Sequence, residues 1–124
     1  MPPEAAMSYR ILSISYDGPL LVTRQMLLQA YGYDVTSAEG FAEALEHCDG
    51  DNRFDLVIMG HSIPFKDKRK IVSQIRKTQE VPVLALLRPG ERPLDEASES
   101  VEPNDPRQLV AAVQRLIGRP AGNS

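Results

Sequence analysis

Residues 54–64 read Phe54-Asp55-Leu56-Val57-Ile58-Met59-Gly60-His61-Ser62-Ile63-Pro64. Leu56 to Met59 is a continuous apolar run, the pattern of a central parallel strand covered on both faces. The strand gives out at Gly60, and polar residues and a proline follow. Gly50-Asp51-Asn52 marks a turn just before it. The rest of the chain repeats this alternation of short apolar runs and helical periods. Upstream, Arg10-Ile11-Leu12-Ser13-Ile14-Ser15 is a short strand, and Pro19 opens a helix in which Leu20, Leu27, Leu28 and Tyr31 share a face. Gly32 ends that helix. Tyr33 to Ser37 is a second strand. Phe41 to Cys48 is a short helix, with Phe41, Ala44, Leu45 and Cys48 on one side.

Downstream, Lys66 to Thr78 reads as a helix with Ile71, Val72 and Ile75 inward, and Val81 to Leu87 as a fourth strand. The last helix is the most fully specified. Asp105 is its N-cap and Pro106 its first residue, Leu109, Val113, Leu116 and Ile117 form the inward stripe, and Gly118 and Pro120 stop it. Strands alternating with helices imply βα units, a parallel sheet and an α/β fold.

A chain of 124 residues fits one domain. Its hydrophobic fraction, 42%, is ordinary for a globular protein. A net charge of −3 gives no overall pull toward nucleic acid or anionic membrane. The sole cysteine, Cys48, excludes an internal disulfide and is most simply a small core residue. No apolar run approaches the roughly 20 residues of a membrane span. Met1 to Ala6 lacks the basic and apolar regions of a signal peptide. The expectation is a cytoplasmic protein.

Three segments together resemble the receiver domains of response regulators: the first strand with Asp17-Gly18-Pro19, the Asp55–Pro64 segment, and Glu102-Pro103-Asn104-Asp105-Pro106 leading into the last helix. The resemblance runs from Tyr9 to Ile117. It implies a three-layer α/β/α sandwich of flavodoxin-like (CheY-like) type, with a five-stranded parallel sheet in the order 2-1-3-4-5. Residues 9–118 would form the receiver-like domain, with flexible tails at 1–8 and 119–124. One departure is large. Arg88 to Ser100 is several residues too short for the family's fourth helix and carries two prolines and a glycine. That helix is expected to be shortened or absent, with at most a stub over Leu94–Ser98 and a fifth strand at Ser100–Glu102. Part of the face that receivers use to dimerise would go with it, leaving a monomer or weak dimer.

Receiver chemistry needs carboxylates for Mg²⁺, an aspartate to attack phosphorus, and cations to neutralise the phosphoryl oxygens. The resemblance places the acidic pair at Ser15 and Tyr16, with only the next residue, Asp17, acidic. It places the phosphoacceptor at Gly60, the phosphoryl-sensing hydroxyl at Leu87, and the lysine at Glu102; the aromatic switch falls near Glu99. On this alignment the Mg²⁺ site and the nucleophile are lost and one charge is reversed. The resemblance also implies a cis Glu102–Pro103 bond. The expected function is a stand-alone, phosphorylation-independent receiver domain in two-component-type signal transduction. It would be a protein-interaction module, not an enzyme, with no cofactor and a signalling protein as partner.

Other residues leave alternatives open. Ser15, Asp17 and His61 are expected near the C-terminal edge of the sheet, but no nucleophile elbow or oxyanion glycine motif accompanies them. Asp17 and His61 are too few ligands for a structural zinc site. A small-ligand sensor using the vacated pocket, or a receiver with its phosphosite relocated to His61 or Ser62, are the alternative functions. Lys66, Lys68, Arg69, Lys70, Arg76 and Lys77 make the third helix basic. Such a run is usually a solvated face. No nucleic-acid recognition motif accompanies it, so Lys68, Arg69 and Lys70 are the expected contacts for an acidic protein partner.

Overall fold

The structure, a computed structural model, describes residues 9–49, 52–102 and 105–120. In chain order its elements are β1 (Arg10–Ser15), α1 (Gly18–Ala30), β2 (Asp34–Glu39), α2 (Phe41–Cys48), β3 (Leu56–Met59), α3 (Phe65–Arg76), β4 (Val83–Leu86), β5 (Glu99–Val101) and α4 (Pro106–Ile117). The five strands are all parallel, in the order β2-β1-β3-β4-β5. This is the expected flavodoxin-like sheet with four helices among the described residues. The tails at 1–8 and 121–124, and the Glu102–Pro103 bond, lie outside the described residues.

Strand alternation divides the core into two layers. Leu12, Ile14, Val57, Met59, Val83 and Ala85 face α2 and α3, where Ala44, Cys48, Ile71, Val72 and Ile75 meet them. Ile11, Leu56, Ile58, Leu84 and Leu86 face α1 and α4, against Leu28, Leu109, Ala112 and Val113. β3 is buried at every residue, as its unbroken apolar run requires. Cys48 is a core residue, and burial pushes its thiol up to about 11, with Asp49 adding to the shift.

Two sequence expectations about helix faces are corrected. In α1 the buried residues are Leu21, Arg24 and Leu28, whereas Leu20 is exposed. The inward stripe follows i, i+3, i+7 through an arginine, and that polar member hides it from an apolar count. In α3 the inward stripe starts with Lys68, which is fully buried, and continues through Ile71, Val72 and Ile75. Lys68 is therefore withdrawn from the expected partner surface, while Arg69 and Lys70 are exposed.

The segment between β4 and β5 contains no helix, not even the one-turn stub expected over 94–98. It is anchored side chain by side chain. Leu94 inserts into the α2–α3 layer at 2% exposure. Ser98 continues the sheet pairing, donating from its N–H to the Val83 carbonyl at 2.8 Å and accepting the Val83 N–H on Oγ at 2.9 Å. The Arg92 guanidinium lies over the Phe65 ring, and Arg69 pairs with Glu96 at 2.8 Å. The strongest tie is Lys68, whose Nζ donates to the Leu86 carbonyl at 3.0 Å and to Glu91 Oε2 at 3.1 Å. β5 accordingly begins one residue earlier than expected, at Glu99.

Candidate functional site

The strand ends at β1, β3 and β4 converge on one edge of the sheet, where ligands of open α/β folds bind. Here hydrogen bonds among the chain's own residues tie part of that edge together. Ser15 is buried at the end of β1; its Oγ accepts the Asp17 N–H at 3.0 Å, donates to the Asp17 carbonyl at 3.2 Å, and lies 3.1 Å from Ser62 Oγ. Ser62 Oγ in turn accepts the Tyr16 N–H at 2.9 Å. These contacts lace the β1–α1 turn to the β3–α3 turn.

Asp17 has a structural role at the start of α1. Its side chain caps α1, accepting the Leu20 N–H at 3.1 Å. Pro19 then sits in the first turn, where its missing N–H costs nothing. Tyr16 turns the other way, toward α3, and its hydroxyl donates to Asp67 Oδ2 at 2.9 Å. Burial first, and then the Asp67 carboxylate as acceptor and neighbouring charge, push the phenol well above its ordinary range. The raised value means that the stabilisation is present below the unfolded phenol's pKa of about 10 and is lost as pH rises beyond it. Tyr16→Phe keeps the ring and deletes the hydroxyl. It is expected to lower the unfolding free energy by about 1 kcal/mol at neutral pH, and thermal melts of the two proteins measure it.

Gly60 is buried, and its amide donates to the Ile14 carbonyl at 2.9 Å. A β-carbon placed there would stand 3.2 Å from Arg24 Nη2, 3.2 Å from the Ile14 carbonyl oxygen and 3.4 Å from Ser15 Oγ. The space beside Gly60 thus holds a guanidinium. Arg24 reaches it from α1, with Nη1 at 3.3 Å from Ser13 Oγ and 3.5 Å from the Ile14 carbonyl oxygen. The side chain is only 7% exposed. Burial brings its pKa down to about 10, against the opposing charge of Asp17.

The remaining sequence-assigned positions scatter around this centre. Leu87 is buried and apolar, and its N–H donates to the Val101 carbonyl at 2.8 Å. Glu102 is exposed, with Oε2 at 3.4 Å from the Gly90 N–H. Glu99 pairs with Arg115 on α4. His61 lines a cleft of about 270 Å³ together with Arg24, Leu27, Leu86 and Leu109, and its Nδ1 is buried without a hydrogen-bond partner. Ser15 Oγ is hydrogen-bonded to Ser62 and to the Asp17 backbone.

Among the described residues, no three His, Cys, Asp or Glu side chains are grouped to hold a metal ion. The position a ligating carboxylate would need at β3 lies against a guanidinium, and a cation there would be repelled. Arg24 was not legible as a site residue by motif. The signal that finds it is its place on the inward stripe of α1, between Leu21 and Leu28.

No family model matches the chain, and no curated protein does. Solved structures match it closely in shape. The receiver domain of a sensor histidine kinase of Pseudomonas aeruginosa, with magnesium coordinated in its active-site cleft, is similar with a TM-score of 0.75 at 21% identity, over 90% of this chain and 98% of that one. The response regulator TrrA of Thermotoga maritima, solved with Mg²⁺ and BeF, is similar with a TM-score of 0.74 at 25% identity, over 87% and 98%. TrrA in complex with the histidine kinase ThkA gives 0.73 at 24% identity, over 88% and 98%. In sheet order and overall shape, though without a helix between β4 and β5, this chain has the fold of a CheY-like response-regulator receiver domain.

Proposed function

We propose that this chain is a pseudo-receiver, a phosphorylation-independent interaction module built on the receiver fold of two-component signalling. The observation that carries the reading is the Arg24 guanidinium beside Gly60. Phosphoryl transfer on this fold needs an anionic nucleophile and a cation held by carboxylates. A residue with no side chain next to a buried positive charge offers neither. The Ser15–Ser62 contact, the Asp17 helix cap and the Tyr16–Asp67 hydrogen bond give the neighbouring positions structural duties instead.

The receiver fold supplies the class of partner by precedent. TrrA is seen in complex with a histidine kinase, and this chain's partner is accordingly a signalling protein. Exposed apolar side chains on α1, Val22 and Met26, stand one helical turn apart and offer contact area of the kind interfaces use. No described helix is long and apolar enough to cross a membrane.

The test is direct. Incubation with acetyl phosphate and Mg²⁺ is expected to leave the intact mass unchanged. A stoichiometric gain of one phosphoryl group overturns the reading. Peptide mapping of such an adduct to His61 or Ser62 would instead establish the relocated-phosphosite alternative.

A further inference from the structure

α2 and α3 lie side by side on one face of the sheet and leave an open groove of about 810 Å³ between them. Its apolar floor is Phe41 and Leu45 from α2 and Val72 from α3. Its rim is cationic: Lys66, Arg69, Lys70, Arg76 and Lys77. Positions 66, 69, 70, 73 and 77 follow the i, i+3, i+4, i+7, i+11 rhythm of one helical face, so α3 presents most of its exposed charge along a single line. The one carboxylate on the groove, Glu96, is engaged by Arg69. Among the described residues, Lys66, Lys70, Arg76 and Lys77 have no ion-pair partner.

The exposed cations of α3 gather on one face of a chain whose net charge is −3, and that local field draws a partner of opposite sign to this face. We infer that this groove docks an acidic amphipathic segment of a partner protein, its apolar stripe on Phe41, Leu45 and Val72 and its carboxylates against the α3 lysines and arginines. Nucleic acid would satisfy the rim alone, because a phosphate backbone brings no apolar side chains to cover the floor. A protein helix with one apolar and one acidic face satisfies both. The inference deepens the interaction-module reading and rests on it, since it names the chemistry of the partner. It uses side chains other than those that carry the Gly60 reading, so the two fail separately.

The test uses the full chain and a fluorescein-labelled synthetic helical peptide with a leucine stripe flanked by glutamates. Saturable binding by anisotropy is expected, with amide shifts confined to α2 and α3 in ¹⁵N-correlated spectra. Replacing the peptide's leucines by glutamine, or raising the salt well above 0.1 M, where the screening length is about 10 Å, is expected to weaken binding severalfold. The variant Lys66→Glu/Lys70→Glu/Lys77→Glu changes exposed side chains without internal ion pairs. It is expected to keep the wild-type melting temperature and bind about tenfold or more weakly. Three results overturn the proposal: no binding, equal binding of the glutamine peptide, or tighter binding of duplex DNA than of the peptide. Shifts centred on α1 or the Gly60 edge overturn it as well. Peptide failure without phosphoryl gain leaves the interaction reading intact for another face. Phosphoryl gain with peptide binding overturns only the phosphorylation-independent reading.

Discussion

Lys68→Ala is expected to lower the unfolding free energy by about 3 kcal/mol, the largest loss from a single polar side chain in this domain. Three effects add. The stem of Lys68 is completely buried, so truncation opens a cavity under α3. The Leu86 carbonyl loses its donor at the end of β4. Glu91, which also accepts the Arg88 N–H at 2.9 Å, loses the cation that holds the 88–91 turn against the domain. Lys68→Met retains the stem and is expected to cost about 1 kcal/mol, because Glu91 keeps enough exposure to regain water. Glu91→Gln leaves the ammonium buried without its counter-charge and is expected to fall between the two, at about 2 kcal/mol. Urea denaturation of the three variants measures the order. A Lys68→Ala loss below that of Lys68→Met removes the cavity and anchoring account together.

The pair also carries a pH signature. Burial alone would push the Glu91 carboxyl up, but the Arg88 N–H, the Lys68 ammonium and the Arg88 charge outweigh it and hold the carboxyl below its ordinary value. An acid depressed in the folded state stabilises above its unfolded pKa of about 4.3, and that contribution disappears as pH falls through the folded value. The stability difference between wild type and Glu91→Gln is therefore expected to be constant near neutrality and to shrink in acid.

The role of Lys68 explains how the domain dispenses with a helix between β4 and β5. A helix would cover the sheet by its own apolar stripe. The segment here is too short for that, and covers the sheet with Leu94, one strand-extending serine and three charged anchors. The sequence showed the shortening and the prolines, and so the missing helix was legible. The anchors were not, because Lys68, Arg69, Arg92, Glu91 and Glu96 are adjacent only after folding. Lys68 was half legible: 68, 71, 72 and 75 follow i, i+3, i+4, i+7, which is the inward stripe of α3. Its lysine identity argued for solvent, and the tertiary partner at Glu91 decided otherwise.

The same division holds at the sheet edge. β3, the α4 cap at Asp105 and the strand order follow from apolar runs, cap residues and the rule of right-handed crossovers. Such features are local, or follow from topology. Ser15, Tyr16 and Gly60 were singled out in the sequence by the resemblance to receivers. The guanidinium beside Gly60 was not legible there, because Arg24 comes from a different element and carries no motif. A buried arginine looks like a surface residue in any local window, and only its helical phase with Leu21 and Leu28 betrays it.

Gly60→Asp, which places a carboxylate where the receiver resemblance puts the phosphoacceptor, is expected to confer no phosphorylation, and to change the electrostatics of the core instead. The new β-carbon meets the Ile14 carbonyl oxygen and the Arg24 guanidinium at 3.2 Å each, so the loop must give by a few tenths of an ångström. Gly60 is not among the glycines with positive φ, so the backbone accepts a side chain. The carboxylate then lies within reach of a buried cation, and an ion pair forms where the receiver reaction needs a free nucleophile beside a metal. Pairing should draw the Arg24 pKa back up from about 10. Arg24→Met alone removes a buried charge and keeps the side-chain length, and is expected to raise stability by about 1 kcal/mol. With both changes, the aspartate is buried without its partner, and the double variant is expected to be about 3 kcal/mol less stable than the two single effects sum to. Denaturation of all four proteins closes this cycle, and intact mass after acetyl phosphate treatment is read on the same samples. Additive stabilities would show that the guanidinium does not engage position 60. A phosphoryl adduct on Gly60→Asp would show that the site still assembles the receiver reaction around whatever carboxylate it is given.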